Sequence, residues 1–234
     1  MKTQGVIGCG KVRGLAMLAA AGILAFLAGC QSPAMQLRNQ GLSLYHQGRY
    51  QAALSKFHAA LQYNQSEPRG NYYAGAADFM LGRYEQAVYH YKLAWQVDPN
   101  YGNVKSAMAE ALIKEGKSNE AMNFLEHDAA LTGRVTGRLR VARFYARLGD
   151  LDDARVNYMK AAVMARQNPA VLVQVGKFFD RLGQKTQAAR YYEQAYRDDP
   201  SYPGLVPMML HDGVTISDAL LSPPLPAPAP VPGK

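Results

Sequence analysis

The chain has 234 residues, a formal net charge of +8 and two cysteines. That length holds one extended domain. The mildly basic balance makes a weak case for nucleic acid and is ordinary for a protein beside an anionic membrane or peptidoglycan. With two cysteines, stability must come from packing rather than from a disulfide framework.

The first residues carry Lys2, Lys11 and Arg13 with no acidic residue before Cys30, then an apolar run from Leu15 to Leu27 broken only by Gly22. A basic segment ahead of an apolar stretch too short for a span of ~20 residues reads as a signal peptide, not as part of the fold. The run ends in Leu27-Ala28-Gly29-Cys30, which resembles the lipobox of bacterial lipoproteins. The resemblance implies a leader over residues 1–29, cleavage before Cys30, acylation of that thiol and the new amino group, and a tether over 30–33. Val6-Ile7-Gly8-Cys9 fits the same box without an apolar run ahead of it. Cys9 would leave with the leader, so no disulfide remains. Gln31 stands where an Asp would hold a sorted lipoprotein at the inner membrane. The expected address is therefore the periplasmic face of the outer membrane. Several acyl chains would anchor the protein stably, each buried CH₂ contributing about 0.8 kcal/mol. No cofactor beyond this covalent lipid is expected.

After the tether the chain repeats itself. A Gly followed five residues later by Ala recurs as Gly48/Ala53, Gly82/Ala87, Gly116/Ala121, Gly149/Ala154 and Gly183/Ala188. The period is about 34 residues. Four residues after each Ala comes a bulky residue: Phe57, Tyr91, Leu125, Tyr158 and Tyr192. A second small residue follows as Ala60, Ala94, Ala161 and Ala195, and the third repeat departs from this rule with Asp128. Small residues also precede each turn Gly by seven positions, as Gly41, Gly75, Ala109, Ala142 and Gly176. The spacing predicts helical hairpins. Gly turns the chain between two helices, the small residues let them approach, and the bulky residue fills the space between.

This period and pattern resemble the tetratricopeptide repeat (TPR) family, best in the second unit with Gly75, Gly82, Tyr84, Ala87, Tyr91, Ala94 and Asp98-Pro99. The resemblance implies an all-α fold, a right-handed superhelical solenoid of about five hairpins. Its units are about 34–67, 68–101, 102–134, 135–168 and 169–201. The third is the most degenerate. Met208, Met209 and Leu210, with Ala219-Leu220-Leu221, mark a capping helical segment over 202–221. Prolines 223, 224, 226, 228, 230 and 232 then make residues 222–234 an extended, disordered spacer.

Catalytic patterns are missing from the sequence. His46, His58, His90, His127 and His211 show no close metal-ligand spacing, and no nucleophile elbow or phosphate-binding loop appears. Asp152-Asp153 reads as helix-start acids favoured by the macrodipole. The expectation is a protein that is not an enzyme and holds no metal. In the repeat family the first helices of successive hairpins line a concave surface. Carrying its inward positions over gives Arg38, Leu42, Tyr45 and His46, then Tyr72, Ala76, Phe79 and Met80, then Glu110, Ile113 and Lys114, then Arg143 and Arg147, and finally Lys177, Asp180 and Arg181. The predicted partner-binding groove, centred on Leu42, Tyr45, Tyr72, Phe79, Met80, Arg143, Arg147, Lys177 and Arg181, is aromatic at one end and basic at the other. It suits an amphipathic protein segment, apolar at one end and acidic at the other. A lipoprotein built almost wholly of such repeats resembles the pilotin-type lipoproteins of Tad (Flp) pilus systems. That resemblance implies a secretin or other envelope protein as partner. The alternative is an adaptor recruiting peptidoglycan-processing enzymes.

Overall fold

The computed structural model describes residues 32–215 and residue 217. The leader, Cys30 and the proline-rich tail lie outside these residues, as does the Ala219-Leu220-Leu221 part of the cap. Among the described residues the chain is all-α, with eleven helices and no strand. They pair as α1 (Pro33–His46) with α2 (Tyr50–Leu61), α3 (Pro68–Met80) with α4 (Tyr84–Val97), and α5 (Val104–Lys114) with α6 (Ser118–Thr132). Two more hairpins follow, α7 (Val135–Leu148) with α8 (Leu151–Met164) and α9 (Pro169–Arg181) with α10 (Lys185–Asp198). A short helix, α11 (Leu205–His211), is the last of the described elements. None of the described helices is long and apolar enough to cross a membrane.

Each hairpin turn is made the same way. The turn glycine lies in the left-handed region, with φ of 75° at both Gly48 and Gly82. The residue after it sends its N–H back to a carbonyl near the end of the first helix: Arg49 to Leu44, Arg83 to Asp78, Lys117 to Leu112, Asp150 to Tyr145, and Gln184 to Phe179. This pairing satisfies carbonyls that a helix end leaves without partners, and it reverses the chain within a few residues. Helices α1, α3 and α9 open on a proline and are capped by the side chains of Ser32, Glu67 and Asn168. In hairpin four Asp150 caps α8, with Asp152 and Asp153 in its first turn, so those carboxylates are helix-start residues.

Packing within a hairpin follows from the small residues. Ala53, Ala87, Ala121, Ala154 and Ala188 are all fully buried. Gly41 and Gly176 leave no room for a methyl group. A Cβ on Gly41 would lie 2.6 Å from the Phe57 ring, and one on Gly176 would lie 2.4 Å from the Tyr192 ring. The bulky residue of the second helix thus sits directly on bare backbone of the first. Hairpin five is closed at its far end by α11, whose Leu205 and Met209 are buried against it.

Hairpin three keeps the helix–turn–helix form, and its irregular Asp128 has a structural partner. Asp128 accepts from Lys105 Nζ on α5 at 2.5 Å, and Arg140 Nη1 on α7 lies 3.3 Å from its other oxygen. Asp128 and Lys105 are both buried. The residue that breaks the small-residue rule ties three helices together.

Candidate partner-binding groove

Helix α1 touches α3, and α3 touches α5, so the first helices of hairpins one to three run side by side along one surface. The apolar positions predicted from the sequence fall at its N-terminal end. Leu42, Tyr45, Tyr72 and Phe79 are each half-buried, and Met80 is 47% exposed. Tyr45 meets Tyr73 edge-on at 6.4 Å, Tyr73 meets Tyr72 at 5.3 Å, and Tyr72 meets Tyr101 at 5.4 Å. These rings form a continuous belt from hairpin one to the start of hairpin three. Burial raises the hydroxyl pKa of Tyr45 and Tyr72 above the ordinary tyrosine value. Tyr72 also packs on Tyr91, so it serves the core with one side and the surface with the other. Phe79 packs edge-on against Tyr84 of its own hairpin. The repeat pattern singles out neither Tyr73 nor Tyr101. Tyr101 lies in the loop before α5, where no repeat position marks it.

The cations form a second group. Arg143, Arg147, Lys177 and Arg181 are exposed. Arg147 lies over the Phe144 ring at 4.8 Å and pairs with Glu110 at 3.3 Å, so the inward positions of hairpins three and four partly neutralise each other. With both partners well exposed, that pair contributes roughly 0–1 kcal/mol. Arg143 Nε donates to Leu139 O of its own helix. Burial raises the Tyr158 hydroxyl pKa, while the guanidinium groups of Arg143 and Arg181 pull it the other way. Among the described residues, no carboxylate forms a salt bridge with Arg143, Lys177 or Arg181. Arg38, predicted at the other end, is tied to Glu67 at 2.9 Å. Arg134 and Arg138 reach Asn100 and Asn157.

A feature that sequence reasoning missed lies on the second helices. Between α8 and α10, over α9, a cleft of about 430 Å³ opens, with Met159, Val163, Phe179 and Tyr191 at its floor and Arg155, Arg166 and Arg190 among its rim. Phe179 and Tyr191 stack there with centroids 5.5 Å apart. Close backbone approach is sparser between α8 and α9 than between α2 and α3.

Tetratricopeptide repeat models match residues 38–101, 78–132 and 169–202, together more than half of the chain. The chain belongs to the tetratricopeptide repeat family. Hairpin four falls outside these matches, yet it keeps the turn Gly149 and the fully buried Ala154. Among solved structures, this TPR chain is similar to MamA residues 41 to the end from Desulfovibrio magneticus RS-1. Identity is 18% over 74% of this chain and 99% of that one, with a TM-score of 0.50. It is also similar to TTC0263, a thermophilic TPR protein of Thermus thermophilus. There identity is 21% over 81% of this chain and all of that one, with a TM-score of 0.47. These likenesses concern the fold. No curated protein matches the sequence. A TPR scaffold of this kind is suited to protein–protein interaction.

Proposed function

We propose that this TPR protein is a non-enzymatic lipoprotein, anchored through Cys30 at the periplasmic face of the outer membrane. Its groove holds an amphipathic segment of an envelope protein. The partner we favour is a secretin subunit of a Tad (Flp) pilus or related secretion system, with the protein acting as its pilotin. One observation carries the binding reading: an aromatic belt at one end of the surface, Tyr45 to Tyr101, and the cations Arg143, Lys177 and Arg181, without salt bridges among the described residues, at the other. A segment apolar at one end and acidic at the other complements both. The lipid would select the membrane while the groove delivers the segment to it.

The test is deletion of the gene, followed by secretin multimers in membrane fractions, with complementation by wild type, Cys30→Ala and Arg143→Glu/Arg181→Glu. Loss of multimers, rescued by wild type alone, is the expected result. Unchanged multimers with altered cell-wall hydrolysis would replace the pilotin role with that of a peptidoglycan adaptor.

A further inference from the structure

The buried polar residues of hairpin two, Asn71 and Asp78, have no role in the groove. Asp78 is 2% exposed near the end of α3. The equivalent position, four before the turn glycine, is Leu44, Leu112, Tyr145 and Phe179 in the other hairpins. A carboxylate in a slot built for an apolar side chain is costly unless something pairs with it. Among the described residues, His90 Nε2 lies 3.7 Å and Arg83 Nη1 3.9 Å from its two oxygens, both beyond hydrogen-bond length. Arg83 approaches the oxygen away from His90, and its other terminal nitrogen is held by Gln51 at 2.8 Å.

His90 is set up from behind. Its Nδ1 lies 3.2 Å from Oδ1 of Asn71, a residue 1% exposed whose amide nitrogen is fixed by the Gln65 and Glu67 carbonyls. The fixed amide leaves Asn71 Oδ1 as acceptor, so His90 carries its proton on Nδ1 and turns the Nε2 lone pair toward Asp78. His58 on α2 brings a second imidazole, its centroid 5.4 Å from that of His90. One ligand atom from each of His58, Asp78 and His90 lies within 4.8 Å of the others.

We infer that His58, Asp78 and His90 form a binding site for a divalent transition-metal ion of the zinc class, joining hairpin one to hairpin two. Two imidazoles and one carboxylate are the three-ligand set that leaves a further position for water. Tetrahedral ligands at about 2.0–2.1 Å stand roughly 3.3 Å apart. The His90–Asp78 edge is close to that spacing, and rotation of the exposed His58 side chain closes the remainder. Asn71 is the outer group that fixes tautomer and ring plane. The ligands lie on three helices, two of them second helices, so no short spacing in the sequence announces them. The site stands apart from the groove, and its test is independent of the secretin reading.

The experiment is titration of the full chain with Zn²⁺ by calorimetry and thermal melting, and with Co²⁺ for its visible spectrum. The variants are His58→Gln, Asp78→Leu and, as a control, His211→Gln. His211 belongs to a second group with Asp180 and Asp212, and its Nδ1 is already 3.0 Å from Asp212. The expected result is one Zn²⁺ per chain and a chelator-reversible rise in Tm. His58→Gln should weaken binding about 10- to 100-fold and Asp78→Leu should abolish it, while His211→Gln leaves it unchanged. Because Leu fills this slot in hairpins one and three, Asp78→Leu should melt no lower than the metal-free wild type. No binding by the wild type, or binding that survives both ligand substitutions, overturns the site.

Discussion

Hairpins three and four are bridged by an ion pair, Asp128 to Arg140, whereas hairpins four and five meet through a shared apolar core beside an open cleft. Both junctions use the same turn glycine and the same buried alanines, so the hairpin pattern alone does not set how tightly neighbours dock. Single residues placed on it do. At the first junction Asp128 gathers Lys105 and Arg140 across three helices. At the second, Tyr158 of α8 stacks on Phe178 of α9 at 4.5 Å, while Met159 and Val163 stay partly in water.

The largest effect should come from breaking the closed junction. Asp128→Ala leaves Lys105 buried without its carboxylate and should cost about 3–5 kcal/mol in denaturant unfolding. Lys105→Met combined with Asp128→Ala should recover most of that loss. If Asp128→Ala is neutral, the ion pair does not hold the junction.

Hairpins one and two extend the contrast, since exposed His58 of the first meets buried Asp78 and half-buried His90 of the second. With a chelator present, stability should fall as pH drops from about 6.5 toward about 4. Folded His90 stays neutral in that window while the unfolded imidazole takes a proton. The loss is about 3 kcal/mol at most. Asp78, raised by burial, offsets part of it because its folded form binds the proton more readily. His90→Gln should flatten the slope in pH-dependent melts.

Hairpin five tests whether the open cleft reflects a loose repeat. Gly176→Ala drives a methyl into the Tyr192 ring and should cost about 1–3 kcal/mol. Tyr192→Leu, which imitates Leu125 of hairpin three, should relieve the clash. A neutral Gly176→Ala would mean that hairpin five is not tightly packed.

The smallest change is expected in the cleft. Val163→Asp should move stability by no more than about 0.5 kcal/mol. A larger drop in Tm would show that the cleft closes in solution.

The hairpins were legible because their signals are local. A Gly five residues before an Ala reports a turn and a contact within one unit, and Gly41, Gly75 and Gly176 sit under their rings as the spacing implies. The groove was legible only as a set of positions, because a helix's rotation about its axis is fixed by its neighbours. Tyr72 belongs to both core and surface for that reason, and Tyr101 was missed because it lies in a loop. Asp78 and Asp128 required a different reading. Compared with the same slot in the other hairpins, each is a charge among apolar or small residues. Nothing within a single repeat names their partners, which lie on separate helices.

The sparse backbone contact between α8 and α9 has a kinetic side. Each hairpin packs mainly on its sequence neighbours, so contact order is low and folding can advance unit by unit along the chain. A chain released N-terminus first could bury every hairpin as it emerges, against the one already formed. Between hairpins, backbone contact is sparsest at α8 and α9, so α9, α10 and α11 should open together before the rest. Amide hydrogen exchange would register that step as one cooperative unit ending at the cleft.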